Sequence, residues 1–146
     1  MFLKPDYNIE SIYAIDLEEL KAQGIKALLF DLDSTIMASK SASYFSETRE
    51  WLDKVKKDFF VGVISNNNNP AYEEKVRAVS EFPMLFNAKK PNVKLGVEFL
   101  KKHGINPKDA VMVGDRPLTD VWFGKKLGCK TCLLYTSPSP RDGATS

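Results

Sequence analysis

Apolar runs of strand length recur along this chain, and each ends in polar residues and is followed by a stretch with helical spacing. The runs cover 25–30, 59–64, 84–86 and 110–113, and a fifth begins at Cys129. Near-continuous apolar strands are those covered on both faces, and strands alternating with helices pair in parallel through crossover connections. The intervening spacing predicts helices over 46–57, 71–80, 93–103 and 118–127, with Pro70 in a first turn and Gly104 and Gly128 as stops. The first 25 or so residues read as an extended arm and a short helix, capped by Asp16 and ended at Gly24. The expected fold class is α/β: a three-layer, Rossmann-like parallel sheet with helices on both faces.

In open parallel sheets, sites form beyond the carboxyl ends of the strands. Here those ends carry Asp31 and Asp33, Ser65 and Asn66, Lys90, and Asp115 with Asp120. Carboxylates that close repel one another unless a cation or a proton sits among them. A hard divalent ion with oxygen ligands, Mg²⁺, suits such a cluster, and an Asp beside it can attack a phosphoryl group as a nucleophile. Bland roles compete at each position. Asp31, Asp33 and Asp115 could serve as turn or cap residues, Ser65 as a turn hydroxyl, and Asp120 as a cap or surface partner. Lys89 competes with Lys90, which leads on its place before Pro91. Four strand ends converging on one rim favour the site.

The 146 residues suffice for one domain with a real core, and 43% apolar with 27% charged residues is ordinary for a globular protein. A formal charge of +2 gives no case for nucleic acid. No apolar stretch approaches bilayer-spanning length, and residues 1–6 lack the apolar segment of a secretory signal, so the expected location is cytoplasmic. Cys129 and Cys132 form a Cys-x-x-Cys without the context of a redox or metal site. His103 falls in the last turn of a helix, where it complements the dipole. Trp122 and Phe123 read as core or docking surface.

The residues at these strand ends resemble the haloacid dehalogenase (HAD) superfamily of phosphatases. Asp31-Leu32-Asp33-Ser34-Thr35 matches its first motif, Ser65 its second, Lys90 before Pro91 its third, and Gly114-Asp115 with Asp120 its fourth. More narrowly, Gly-Ile-Lys at residues 24–26, Ser-Asn-Asn at 65–67, Lys-Lys-Pro at 89–91 and Val-Gly-Asp-Arg-Pro-Leu-Thr-Asp-Val at 113–121 are similar to the YqeG family. That family is grouped with phosphatidylglycerophosphate phosphatases. Ser34 stands where the family usually has Asn, and the family's last segment is lacking. The resemblance implies Asp31 as nucleophile, Asp33 as acid/base, and Lys90 as a charge partner of the phosphoryl group. It implies Ser65 and Asn66 at the substrate, and Asp31, Asp115, Asp120 and the main-chain carbonyl of Asp33 around Mg²⁺. A low-activity phosphoryl-binding or ribosome-assembly-associated protein that retains the site is the alternative. A receiver-type domain is disfavoured, because Asp33 would have no role there.

HAD enzymes acting on small metabolites usually carry a cap. Here about 25 residues separate Thr35 from the second strand's end and about two dozen separate Ser65 from Lys90, enough only for crossovers. The expected domain is therefore capless, with a bulky substrate such as a phosphorylated lipid head group at a membrane surface. Phe2, Leu3, Lys4 and Tyr7 could help it dock, although packing on the sheet competes. The stretch from Cys132 to Asp142 resembles one reading frame of a sequencing adapter. The expected division is thus 1–131 as the domain and 132–146 as a non-native tail.

Overall fold

The computed structural model describes residues 4–135. Its one sheet has six strands, all parallel: β1 (Tyr7–Ile9), β2 (Ala27–Phe30), β3 (Phe60–Ile64), β4 (Met84–Leu85), β5 (Ala110–Gly114) and β6 (Lys130–Leu134). They lie in the order β1-β6-β5-β2-β3-β4. From β2 the chain builds outward through β3 to β4, then returns to lay β5 along the other side of β2. The order therefore reverses between β2 and β5, and a crevice at their carboxyl ends follows from that reversal. Registration pairs Phe30 with Val63 on one side and with Val113 on the other, so both inner strands end level.

Side chains alternate across the sheet with a period of two. Leu28, Phe30, Val61, Val63, Val111 and Val113 face one layer, with Leu20 of α1 (Leu17–Ala22), Leu52 and Val55 of α2 (Thr48–Val55), and Val76 of α3 (Pro70–Val79). Ala27, Leu29, Ile64, Ala110 and Met112 face the other. There they meet Phe99 and Leu100 of α4 (Lys94–Lys102) and Phe123 and Leu127 of α5 (Trp122–Leu127). This is the expected three-layer α/β arrangement. Asp16 caps α1 through Glu19 N–H at 3.1 Å, and Asn69 caps α3 by accepting from Ala71 and Tyr72.

Three features differ from the sequence reading. The amino-terminal arm contains a strand, β1, which pairs with β6 at the sheet's edge, Tyr7 opposite Cys132. Three residues give too little periodicity to reveal such a strand. The last helix opens with a π-turn, Pro117–Val121, before continuing as α5. Finally, Cys132, Leu133 and Leu134, the first residues of the expected tail, complete β6 between β1 and β5, a pairing that says nothing of their origin. Residues 136–146, the rest of the expected tail, lie outside the described residues, as do Phe2 and Leu3 of the expected docking segment.

Between β2 and β3 the chain forms a small flap, bridged at Asp33–Met37 and Met37–Tyr44, and then α2; between β3 and β4 it forms α3. No further domain interrupts these connections. Among the described residues no helix is long and apolar enough to cross a membrane. Cys129 and Cys132 are free and buried, and burial pushes both thiols up to about 12, which keeps them protonated and unreactive.

The fit of α4 on α5 leaves no spare volume at Gly96, where an added Cβ would lie 2.6 Å from Cζ of the buried Phe123 ring. Gly96→Ala is expected to destabilise the fold by about 1–3 kcal/mol through overpacking, read as a lower urea midpoint with an unchanged slope.

Candidate active site

Lys90 lies at the centre of the crevice. Its ammonium donates to the main-chain carbonyl of Ile64 at 2.7 Å, to Asp120 Oδ1 at 2.8 Å and to Asp31 Oδ1 at 3.0 Å. Three acceptors use all three of its protons. The side chain is 1% exposed, and its partners Asp120 and Asp31 are 2% and 15% exposed. Burial alone would lower the amine's pKa, but the two carboxylates outweigh it and raise the pKa above its ordinary value. The competing Lys89 is exposed. Lys90 is fixed from behind by Asn66, which accepts from its N–H at 2.7 Å and donates to its carbonyl at 3.0 Å.

Each acid arrives from a different element. Asp31 is the first residue after β2, and its N–H donates to Val113 of β5 at 3.0 Å, which continues the ladder and aims the side chain over the crevice. Asp115 follows β5 directly. Asp120 is brought back by the π-turn, in which the N–H groups of Asp120 and Val121 both donate to the Arg116 carbonyl. The wider turn lays Asp120 across Gly114. A Cβ there would lie 2.6 Å from Asp120 Cβ and overlap its carboxylate, so glycine is required.

Asp31, Asp115 and Asp120 each offer a carboxylate oxygen, and the three oxygens lie within 4.8 Å of one another. Burial raises the Asp31 carboxyl to about 6; Lys90 opposes this rise and Asp120 adds to it. Burial, then the neighbouring Asp120, also raises Asp115. Asp115 Oδ1 is buried without a hydrogen-bond partner among the described residues. An orphaned, desolvated oxygen in an all-oxygen donor set fits a hard cation such as Mg²⁺, and these three acids would hold it.

Asp33 stands apart. Its carboxylate accepts from the Tyr72 hydroxyl at 2.6 Å and from the Lys40 N–H at 3.1 Å, and it does not join the trio. Burial, then the bond to Asp33, pushes the Tyr72 phenol up to about 12, so it remains a donor. Of the expected metal group, Asp33 therefore contributes no side-chain oxygen. Ser65 is buried beside the Lys90 ammonium's third acceptor, and its Oγ accepts from Asn67 N–H at 3.0 Å, with its own proton still free to donate. Asn66, expected at the substrate, instead commits both amide atoms to Lys90. Sequence reasoning missed Tyr72 entirely: a tyrosine in the first turn of a helix carries no motif, and only the fold brings it to Asp33.

The metal-free cluster predicts a sign. Asp31 has its folded pKa raised from 3.8 to about 6, so its contribution to stability is present below 3.8 and lost as pH rises through 6. Adding Mg²⁺ is expected to raise the melting temperature at pH 7.5, by roughly 2–4 °C per kcal/mol of binding. The increment should shrink at pH 5, where protons compete with the ion, and should vanish in Gly114→Ala. Scanning calorimetry with Mg²⁺ and with a chelator checks both.

Comparison with known proteins gives the family and the fold. Residues 1–137 match the family described as mitochondrial PGP phosphatase. The chain is 31% identical over 137 residues to the probable phosphatase YqeG of Bacillus subtilis, an alignment covering 91% of this chain and 77% of that one. It is 28% identical over 149 residues to phosphatidylglycerophosphate phosphatase 1, chloroplastic/mitochondrial, of Arabidopsis thaliana, covering 96% of this chain but only 42% of that protein. A HAD phosphatase from Thermococcus onnurineus shares the fold, with a TM-score of 0.62 at 17% identity over 84% of this chain and 89% of that one. A parallel sheet with carboxylates grouped at its switch point, and a family match over nearly the whole chain, place this protein in the PGP phosphatase family of HAD-type phosphatases.

Proposed function

We propose that this phosphatase is a Mg²⁺-dependent phosphomonoesterase that works through an aspartyl-phosphate on Asp31 and acts on a phosphatidylglycerophosphate-type lipid. The observation that carries the mechanism is the fixed Asp31 carboxylate, with Oδ1 held 3.0 Å from the Lys90 ammonium. Bound Mg²⁺ would supply charge neutralisation for the phosphoryl oxygens.

Asp31 attacks phosphorus in line, the ester P–O bond breaks, and protonated Asp33 gives its proton to the leaving alkoxide. Asp33, now a carboxylate, then takes a proton from water. The water oxygen attacks the same phosphorus, releasing inorganic phosphate and regenerating the Asp31 carboxylate. Ser65 donates its hydroxyl proton to a phosphoryl oxygen, and Lys90 compensates the charge that builds there. Tyr72 and Lys40 N–H orient Asp33 for both transfers. Asn66 acts one layer back, by fixing the Lys90 main chain.

Substrate size and charge follow from the surroundings. The flap and α3 leave the mouth open, and beside Asp33 lies a cleft of about 480 Å³. Lys40, Lys75, Tyr72 and Asn67 to Asn69 line it, and no carboxylate does. Tyr72 and Lys40 also bond Asp33, so an alcohol protonated by Asp33 leaves along this cleft. Two amines and several amides suit a leaving group that itself carries negative charge, as the phosphodiester of such a lipid does. The sequence reading of a cytoplasmic protein working at the membrane surface belongs to the same proposal.

The test is Mg²⁺-dependent phosphate release from a panel of lipid and soluble phosphomonoesters. Asp31→Asn is expected to abolish turnover while the protein still folds. Asp33→Asn should lose turnover by about 10²–10⁴-fold, yet form acid-stable phosphoenzyme from an ester with a good leaving group. Tyr72→Phe should lower kcat by a smaller factor and shift the pH dependence of kcat/KM. Activity on small sugar phosphates, with none on vesicles carrying the phosphorylated head group, would exclude the lipid assignment.

A further inference from the structure

The sequence left Trp122 and Phe123 together as core or docking surface, and the fold separates them. Phe123 is fully buried between α5 and α4, whereas Trp122 points outward at 38% exposure. Leu118, one turn earlier, is 64% exposed, the highest value among the large apolar side chains described. The two sit on the outer side of the same π-turn that carries Asp120, immediately after Asp115 and Arg116. An outward leucine and tryptophan, one turn apart, make a small continuous apolar spot at the rim of the acidic crevice.

The exposed charges of the turn and α5 themselves have one sign. Arg116 is exposed at the head of the turn, and the Lys126 ammonium stands 5.3 Å from the centre of the Trp122 ring. Between residues 116 and 130 the only acid is Asp120, which is buried and bonded to Lys90. At the amino ends of β5 and β6, the opposite rim from the crevice, Lys108, Lys125 and Lys130 line a separate open cleft with Asp6. Asp6 is already committed to Thr131, accepting from its N–H at 2.8 Å and its hydroxyl at 3.2 Å. An indole flanked by cations is the arrangement that settles at the boundary between head groups and acyl chains, and the cations complement an anionic lipid surface.

We infer that Leu118 and Trp122, with Arg116 and Lys126, form a docking spot for anionic bilayers that seats the acidic crevice against the head groups. The inference rests on the lipid-substrate reading and extends it by naming a surface that meets the membrane. Tyr7 of the amino-terminal arm is engaged in β1, where it pairs with Cys132 of β6.

The experiment reads binding without turnover. The protein has two tryptophans, and Trp51 is packed edge-on against Phe30 and Tyr13, with ring centres at 6.1 and 5.8 Å. Full-chain protein is titrated with vesicles of phosphatidylglycerol and phosphatidylcholine, and with phosphatidylcholine alone. The expected result is a blue shift of emission with the anionic vesicles, weakened by salt and absent in Trp122→Phe. In sedimentation, Leu118→Ser and Trp122→Ser should each reduce partitioning by about tenfold, with melting temperatures close to wild type. Arg116→Glu with Lys126→Glu should abolish it. No shift with anionic vesicles, or partitioning unchanged in the serine variants, would overturn the inference and leave the spot to a protein partner. Vesicle binding without phosphate release from any ester would instead count against the proposed reaction and leave this surface standing.

Discussion

One buried ammonium governs how the site is assembled. Lys90 is reached from β2 through Asp31, from β3 through the Ile64 carbonyl, and from the turn after β5 through Asp120. Removing it would strand two desolvated carboxylates, a change that costs about 3–5 kcal/mol when a buried pair is broken. With every group ionised, Asp31, Asp115 and Asp120 against Lys90 leave two uncompensated negative charges. That is the charge of a divalent cation. Lys90 thus keeps three acids together in the absence of metal while leaving the cluster short of neutrality. The burden falls on Asp31 and Asp115, whose carboxyls are raised by burial, and it leaves one Asp115 oxygen without a partner.

The acids meet because of the order of the strands. β2 and β5 are neighbours in space but far apart in sequence, and Phe30 and Val113 are paired, so the residues just beyond them fall side by side. The strands from β2 to β5 are short and apolar, and each is legible in the sequence as a bounded apolar run. The helices were legible from their punctuation, Asn69-Pro70 at the start of α3 and Gly128 after α5. Because site residues in such a fold occupy strand ends, finding the strands was nearly enough to find Asp31, Ser65, Lys90 and Asp115.

What sequence could not supply was the direction of side chains in the loops. Ser65, Asn66 and Asn67 follow β3 consecutively, yet Ser65 Oγ turns to Asn67 N–H while Asn66 turns away to clamp Lys90. Composition treats the three as one polar loop. Asp33 was found by its spacing from Asp31, but the separation of the two carboxylates depends on the flap. The left-handed Ser34 (φ 68°) turns the chain there, and Lys40 and Tyr72 then draw the Asp33 carboxylate aside. The edge strand β1 was hidden for a different reason. Three residues have no period, and their pairing partner begins where the sequence had been set aside as a tail.

In the proposed mechanism, with Asp31 as nucleophile and Asp33 as acid/base, the separation of the two carboxylates has a chemical consequence. A nucleophile must stay ionised beside a phosphoryl group, whereas an acid/base must exchange a proton with the leaving oxygen and then with water. If both carboxylates shared one cation, both would be held ionised and neither could carry the proton. Here the positive charge is concentrated on Asp31 by Lys90, and Asp33 is held by neutral donors, a phenol and a main-chain N–H. Neutral donors fix orientation without forbidding protonation. Two acids two residues apart therefore reach different electrostatic surroundings, through groups that the fold recruits from α3 and from the flap after β2. The π-turn completes the division by returning Asp120 over Gly114 to the Asp31 side, where it adds negative charge to the acidic trio and none beside Asp33.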